Sequence, residues 1–137
     1  MENQPSSFSL ESGLARFDIL ATENKWPEFD SLALKISDNF DYLTWTEEGI
    51  IDDNSNFRDL ALTILENTRL QLSEKGIKVL ETSRDNKDED PHLRRKAALA
   101  LFKHGDRSVG TIDRLLDAYQ NDQELRNRAS VLLGLSE

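Results

Sequence analysis

The sequence has no cysteine, three prolines and six glycines, and no apolar run that approaches the ~20 residues of a membrane-spanning helix. The absence of cysteine excludes disulfides, zinc–thiolate sites and thiol nucleophiles. It also fits a reducing compartment, and the first residues lack the basic start and apolar segment of a secretory signal. We therefore expect a cytoplasmic protein that makes no use of a membrane, and the scarcity of proline and glycine favours long helices.

The charge is acidic and unevenly distributed along the chain. The 137 residues carry a formal net charge of -9, and residues 1–50 contain ten acidic residues against three basic ones. Such a field repels nucleic acid, because nucleic-acid binding depends on neutralising phosphates with basic groups. It would accelerate encounter with a basic protein partner. Acidity that serves only solubility explains the same composition equally well.

A repeated helical pattern occupies the second half of the chain. Three segments, beginning at residues 54, 90 and 122, align without gaps; each has a helix-capping residue, an apolar residue, an arginine, an alanine and an apolar pair. The aligned caps and alanines are Asn54, Asp90, Asp122, Ala61, Ala97 and Ala129. The apolar stripe predicts amphipathic helices, and the small alanine lets two helices approach closely.

A second helix is predicted after each of the first two segments, over residues 72–84 and 109–120. The resulting unit of ~35 residues has the size of stacked helical hairpins. Residues 8–52 lack the repeat but keep a helical period, and Pro27 is expected to begin a helix there. We therefore predict a single all-α domain over residues 1–137. It divides into an irregular N-terminal cap (8–52), two repeats (53–86 and 87–120) and a half repeat (121–137).

Residues 93–106 resemble the first helix and turn of HEAT repeats, in the short form first seen in phycobilisome lyases. Residues 122–134 resemble that helix again, and the likeness covers about residues 53–137. The first repeat departs from the pattern at residues 66–70, which replace the Gly-Asp turn. The resemblance implies a short right-handed α-α superhelix of HEAT-like helical hairpins.

The resemblance also implies a binding surface, because in HEAT repeats the row of second helices faces the concave, partner-binding side. On that row the alignment matches Lys78 with Arg114 and Glu81 with Asp117. These four residues are therefore candidate protein-binding residues. The alternative is pairing at i,i+3 within each helix, Lys78 with Glu81 and Arg114 with Asp117.

A second candidate surface lies in the acidic cap, where residues 38–48 set three aromatic residues among acids. Aromatic anchors ringed by charge are typical of interface hot spots. The candidates are Phe40, Asp41, Tyr42, Trp45, Glu47 and Glu48. The alternative is that Phe40, Leu43 and Trp45 form the core of the cap.

The sequence offers little catalytic chemistry. His92 and His104 lie twelve residues apart without a second ligand at helical spacing, so both are expected to be exposed bystanders. The acidic run 85–90 fails the calcium-loop pattern, because Lys87, Asp90 and Lys96 occupy its third, sixth and twelfth positions. No phosphate-binding loop or nucleophile motif occurs. We expect no metal, no cofactor and no catalysis.

Basic residues cluster on the predicted first helices. They are Arg94, Arg95, Lys96, Lys103, Arg126 and Arg128. A nucleic-acid-binding strip would normally dominate the charge of its domain, whereas here the acids outnumber the bases. Salt bridges to neighbouring repeats are therefore the favoured interpretation.

These observations favour a non-catalytic protein-binding module, a HEAT-like adaptor that recognises its partner through the concave face and the acidic cap. One alternative is a bacterial immunity or inhibitor protein that neutralises a basic toxin such as a nuclease. A second, which the resemblance implies, is a bilin lyase-like or chaperone-like enzyme subunit. Neither nucleic acid nor a membrane is expected as partner. The unpaired last helix favours a monomer or a weak homodimer formed through that helix.

Overall fold

The computed structural model describes residues 10–47 and 54–135, and within these ranges the chain forms eight α-helices and no strand. In chain order they are α1 (Leu10–Thr22), α2 (Trp26–Ile36), α3 (Phe40–Glu47), α4 (Ser55–Asn67), α5 (Glu74–Asp85), α6 (Pro91–Lys103), α7 (Val109–Asn121) and α8 (Arg126–Leu133). The all-α prediction is confirmed for this part of the chain. The predicted second helices, 72–84 and 109–120, correspond to α5 and α7.

Local capping explains where most of the repeat helices begin. The Asn54 side chain accepts a hydrogen bond from Asn56 N at the start of α4, and Asp90 accepts one from His92 N at the start of α6. Ser73 and Ser108 cap α5 and α7 in the same way. Each cap satisfies a backbone N–H that the first turn of a helix leaves without a partner. The caps predicted at residues 54 and 90 are therefore confirmed.

The cap predicted at Asp122 is wrong in position, because α8 begins only at Arg126. The Asp122 carboxylate accepts a hydrogen bond from Leu125 N in the preceding turn. The same carboxylate lies 2.8 Å from His92 Nδ1 and 3.5 Å from Arg95 Nη1, both on α6. These long-range contacts hold Asp122 at the end of α7, so a turn separates it from the last helix.

Four helices form a continuous row in which each packs against the next: α2 against α4, α4 against α6, and α6 against α8. The other helices pack against this row. Helix α1 contacts α2 and α4, α3 contacts α4 and α5, α5 contacts α6, and α7 contacts α6 and α8. One face of the row remains open, and the groove described below lies on it.

The core consists of three apolar clusters arranged along the chain. The first joins α1 and α2 to α3 and α4, and its Phe17 and Phe29 rings meet edge to face at 5.0 Å. The second links α4, α5 and α6, and the third links α6, α7 and α8. The predicted alanines Ala61, Ala97 and Ala129 are all buried, as the close approach of neighbouring helices requires.

Within the described residues, no helix is both long enough and apolar enough to cross a bilayer.

A candidate binding groove

A groove of about 470 Å³ runs across the row of α2, α4, α6 and α8. A cavity of this volume lies within the range that holds small ligands or a short stretch of a partner chain. Its walls combine charged, amide and apolar side chains. They are Trp26, Asp30, Leu34, Asp59, Thr63, Glu66, Asn67, His92, Lys96, Glu124, Leu125 and Arg128.

An ion pair between α4 and α6 forms the floor of the groove. The Lys96 ammonium contacts the Asp59 carboxylate and the hydroxyl of Thr63, and the Lys96 side chain is only 7% exposed. Thr63 Oγ1 also donates to Asp59 Oδ1 at 3.4 Å. Because burial removes the hydration of the ammonium, the pair must stay intact for the charge to be tolerated. The Lys96 ammonium therefore stabilises the contact between α4 and α6 and is already engaged by these two partners.

A second ion pair joins α4 to α8 across the groove. Arg128 Nε lies 2.9 Å from Glu66 Oε2, and Arg128 Nη2 donates to Glu66 Oε1 at 3.1 Å. The Glu66 side chain is 2% exposed, whereas that of Arg128 is 46% exposed. The guanidinium thus covers a buried carboxylate with two parallel hydrogen bonds, the geometry that favours arginine over lysine.

His92 connects α6 to the turn before α8. Its Nδ1 lies 2.8 Å from Asp122 Oδ2, and its Nε2 lies 3.0 Å from Glu124 Oε1. The prediction that His92 is an exposed bystander is therefore wrong. His104 was predicted to be a bystander too, but its Nε2 lies 2.7 Å from the carbonyl oxygen of Leu65 on α4. Both rings join helices that lie far apart in sequence.

The α2 wall carries groups that these pairs leave uncommitted. Trp26, Asp30 and Leu34 follow at intervals of four residues, so they share one face of α2, and all three line the groove. Within the described ranges, Asp30 has no hydrogen-bond or ion-pair partner. Partial loss of hydration raises the pKa of Asp30; Lys96 opposes this rise, and the carboxylates of Asp59 and Glu124 add to it. Asp30 is exposed, so the α2 wall presents to solvent a carboxylate without a partner among the described residues.

The four candidates on the second helices lie away from this groove, on α5 and α7. Arg114 Nη1 lies 3.3 Å from Asp117 Oδ2, so i,i+3 pairing occurs there, whereas no ion pair joins Lys78 to Glu81 in the described part of the chain. Arg95 of α6 also grips Asp117 with two hydrogen bonds, at 2.9 and 3.2 Å. These hydrogen bonds, chiefly those from Arg95, lower the pKa of Asp117 to about 2. Partner binding on this row stays a prediction.

The candidates in the cap are split between surface and core. Phe40 is 71% exposed and Asp41 is exposed, but Tyr42 is only 1% exposed and belongs to the first apolar cluster. Trp45 packs edge to face on Phe57 with 6.4 Å between ring centroids.

The two glutamates of the same segment, Glu47 and Glu48, are the remaining candidates in the cap. The Glu47 carboxylate accepts a hydrogen bond from Ser73 N at the start of α5, so it supports a helix N-terminus. Glu48 lies outside the described residues. The alternative of a cap core thus fits Trp45, which packs against the first apolar cluster, but does not fit Phe40, which is exposed. Leu43 is buried too, but in the second cluster. Whether Phe40 and Asp41 bind a partner stays a prediction.

The predicted salt bridges to a neighbouring repeat occur at Lys96, which pairs with Asp59, and at Arg95, which lies 3.5 Å from Asp122. The shorter ion pair of Arg95 is with Asp117, inside the same predicted repeat, and Arg128 pairs with Glu66 of the first predicted repeat, which does not adjoin the half repeat. Two others bond to backbone carbonyls instead. Arg94 Nε donates to the carbonyl oxygen of Arg84, and Arg126 Nε donates to that of Tyr119. Much of the basic cluster therefore connects helices.

None of the residues that line the groove is among the binding candidates predicted from the sequence. Asp59 and Glu66 were not named as candidates, although both line the groove and pair with residues on other helices. The pattern Trp26, Asp30, Leu34 was a usable signal, because a tryptophan, an acid and a leucine on one helical face suit a contact surface. That signal did not say which helices would form the opposite wall.

Among the described residues, no group of three or more histidine or acidic side chains is placed to hold a metal ion. A comparison of the chain with protein-family models, curated proteins and solved structures gives no match.

Proposed function

We propose that this protein is a non-catalytic binding module, an adaptor that holds a segment of a partner protein in the groove across α2, α4, α6 and α8. The observation that carries this proposal is the groove itself, about 470 Å³ in volume and lined by residues from four helices or the turns between them. A concave site of this kind buries more of a partner segment than a flat surface does.

The ion pairs along the groove support a binding role. Asp59–Lys96 and Glu66–Arg128 each tie two helices together across it. They fix the spacing of the walls before a partner arrives, and a preformed site loses less conformational entropy on binding. The same pairing engages Asp59 and Lys96, the ionisable groups of the floor. Acid–base catalysis would need such groups to be available to a substrate.

The row of helices also suits the stacked architecture that the sequence resemblance implies. We propose that α4 with α5 and α6 with α7 are two HEAT-like hairpins of a short right-handed superhelix, with α8 as a half repeat. In this arrangement the groove follows the first helices, with α2 of the cap extending the row. The proposed binding surface therefore differs from the second-helix row expected from the resemblance.

Site-specific photo-crosslinking in cells tests the proposal. A photoreactive phenylalanine analogue at Leu34, which lines the groove and is 55% exposed, should capture one defined partner. The matched control places the same analogue at Val109, which is 76% exposed on α7, away from the groove. The captured protein is then purified and mixed with the unmodified chain. A purified complex with crosslinks at position 34 alone supports the proposal; equal crosslinking at both positions, or no complex, overturns it.

A further inference from the structure

The charged side chains of the groove determine which kind of ligand it can bind, and this inference rests on the proposed function. Its cations are already engaged: Lys96 binds Asp59 and Thr63, and Arg128 binds Glu66. Its carboxylates are not all engaged, because Asp30 has no partner among the described residues. An anionic ligand would meet these carboxylates without a free cation to balance them.

The uncommitted carboxylate of Asp30 lies beside an aromatic ring, and Glu124 adds a second, partly engaged carboxylate. Trp26 and Asp30 are four residues apart on the same face of α2, and both line the groove with Glu124. Glu124 is anchored by one oxygen, Oε1, to His92 Nε2 at 3.0 Å, and its side chain is otherwise exposed. The Trp26 ring is held in turn by Phe29, with ring centroids 5.0 Å apart. The cluster thus has a fixed aromatic ring with carboxylates on two sides of the groove.

We propose that the part of the groove between α2 and the turn before α8, lined by Trp26, Asp30 and Glu124, binds an arginine side chain of a basic partner segment. A guanidinium stacks on an indole ring and donates hydrogen bonds to carboxylates in one planar arrangement. A lysine ammonium satisfies the charge but gains less from the flat ring. The groove is larger than one side chain, which leaves room for the backbone on either side of the arginine.

Charge complementarity supports the same occupant over a longer range. The chain carries a net charge of -9, so a basic segment is attracted before contact is made. The apolar residues Leu34 and Leu125 line the same groove and provide contacts for the aliphatic part of the bound segment.

A peptide titration followed by NMR tests the assignment on the full chain. The probe is the capped peptide Gly-Gly-Arg-Gly-Gly, and the readout is the indole N–H signal of Trp26. The Trp45 indole serves as an internal reference, because the chain has two tryptophans and Trp45 packs elsewhere, on Phe57. We expect a saturable shift of the Trp26 signal alone. Replacing the arginine by neutral citrulline should weaken binding about fivefold or more, since the charge-assisted bonds are lost.

Three variants distinguish arginine binding by the pocket from attraction by the net negative charge of the chain. Asp30→Asn and Glu124→Gln should each weaken the arginine peptide about threefold or more. Asp113→Asn, an exposed change of the same charge on α7, is the matched control and should leave binding unchanged. A preserved spectrum shows that each variant is folded.

The possible failures are distinct. Equal binding of the citrulline peptide, an equal effect of Asp113→Asn, or no shift of Trp26 overturns the arginine assignment. Such a result leaves the adaptor proposal intact if crosslinking at Leu34 still yields a purified complex. A failed crosslink together with specific arginine binding would instead overturn the adaptor proposal alone.

Discussion

A double-mutant cycle on Asp59 and Lys96 probes the ion pair that forms the floor of the groove. Replacing Asp59 by alanine leaves the Lys96 ammonium, whose side chain is 7% exposed, with the hydroxyl of Thr63 as its remaining partner. We expect this change to lower the free energy of unfolding by about 3 kcal/mol, the lower end of the cost of stranding a buried charge.

The reverse change should cost less. In Lys96→Met the Asp59 carboxylate is 20% exposed and keeps the Thr63 hydroxyl at 3.4 Å, so we expect a loss of about 2 kcal/mol. The double variant strands neither charge and should also lose about 2 kcal/mol. The coupling energy between the two residues is then about 3 kcal/mol, far above the value for independent sites.

Urea unfolding followed by far-ultraviolet circular dichroism at pH 7 measures all four members of the cycle. The exposed pair Glu23–Lys25, with nitrogen and oxygen 3.3 Å apart and both side chains more than half exposed, is the matched control. Its coupling should stay below about 0.5 kcal/mol. If the losses from the Asp59 and Lys96 single changes simply added in the double variant, the ion pair would not be the structural floor described above.

Three further perturbations test other parts of the structure. Arg128→Met uncovers the buried Glu66 carboxylate and should lower the free energy of unfolding by about 2 kcal/mol in urea unfolding; an unchanged midpoint would contradict the pairing. The pKa of Asp117 is held at about 2, below its ordinary 3.8. The ionised Asp117 therefore stabilises the fold fully above pH 3.8, and this stabilisation is lost as the pH falls toward 2. Asp117→Asn should therefore remove about 1 kcal/mol of stability at pH 7 and little at pH 2, allowing for solvent screening; an equal loss at both pH values would refute this. Gly105→Ala should cost about 1 kcal/mol because φ is +107° there, whereas Gly110→Ala, inside α7 and without a close contact, should be neutral or stabilising in thermal melts; similar changes in midpoint would contradict this reasoning.

The helices and their starts were predictable because the signals for them are local. Asn54 and Asp90 each bond to an N–H two residues later, so sequence spacing alone contains the information. Asp122 has the same residue type at the aligned position, yet it closes a turn because residues of α6 also bind it. A local pattern could not reveal those distant partners.

The groove was less predictable because it depends on which helices meet. The Glu66–Arg128 pair joins residues 62 positions apart, and the Lys96–Asp59 contact joins residues 37 apart. The helical period placed each residue on a face of its own helix without specifying the opposite wall. Tyr42 illustrates the converse: a phenolic residue among acids looked like a surface anchor, but packing of α3 on α4 buries it.

Binding of the purified partner, once captured by crosslinking at Leu34, to three charge-insertion variants tests the central claim most directly. Leu34→Arg places a cation in the groove, Phe40→Arg alters the exposed cap, and Val109→Arg alters α7. Isothermal titration calorimetry should show that Leu34→Arg alone abolishes binding, while the other two bind as the unmodified chain does. Full binding by Leu34→Arg together with loss of binding by Phe40→Arg or Val109→Arg would contradict the account and move the interface to the cap or to α7.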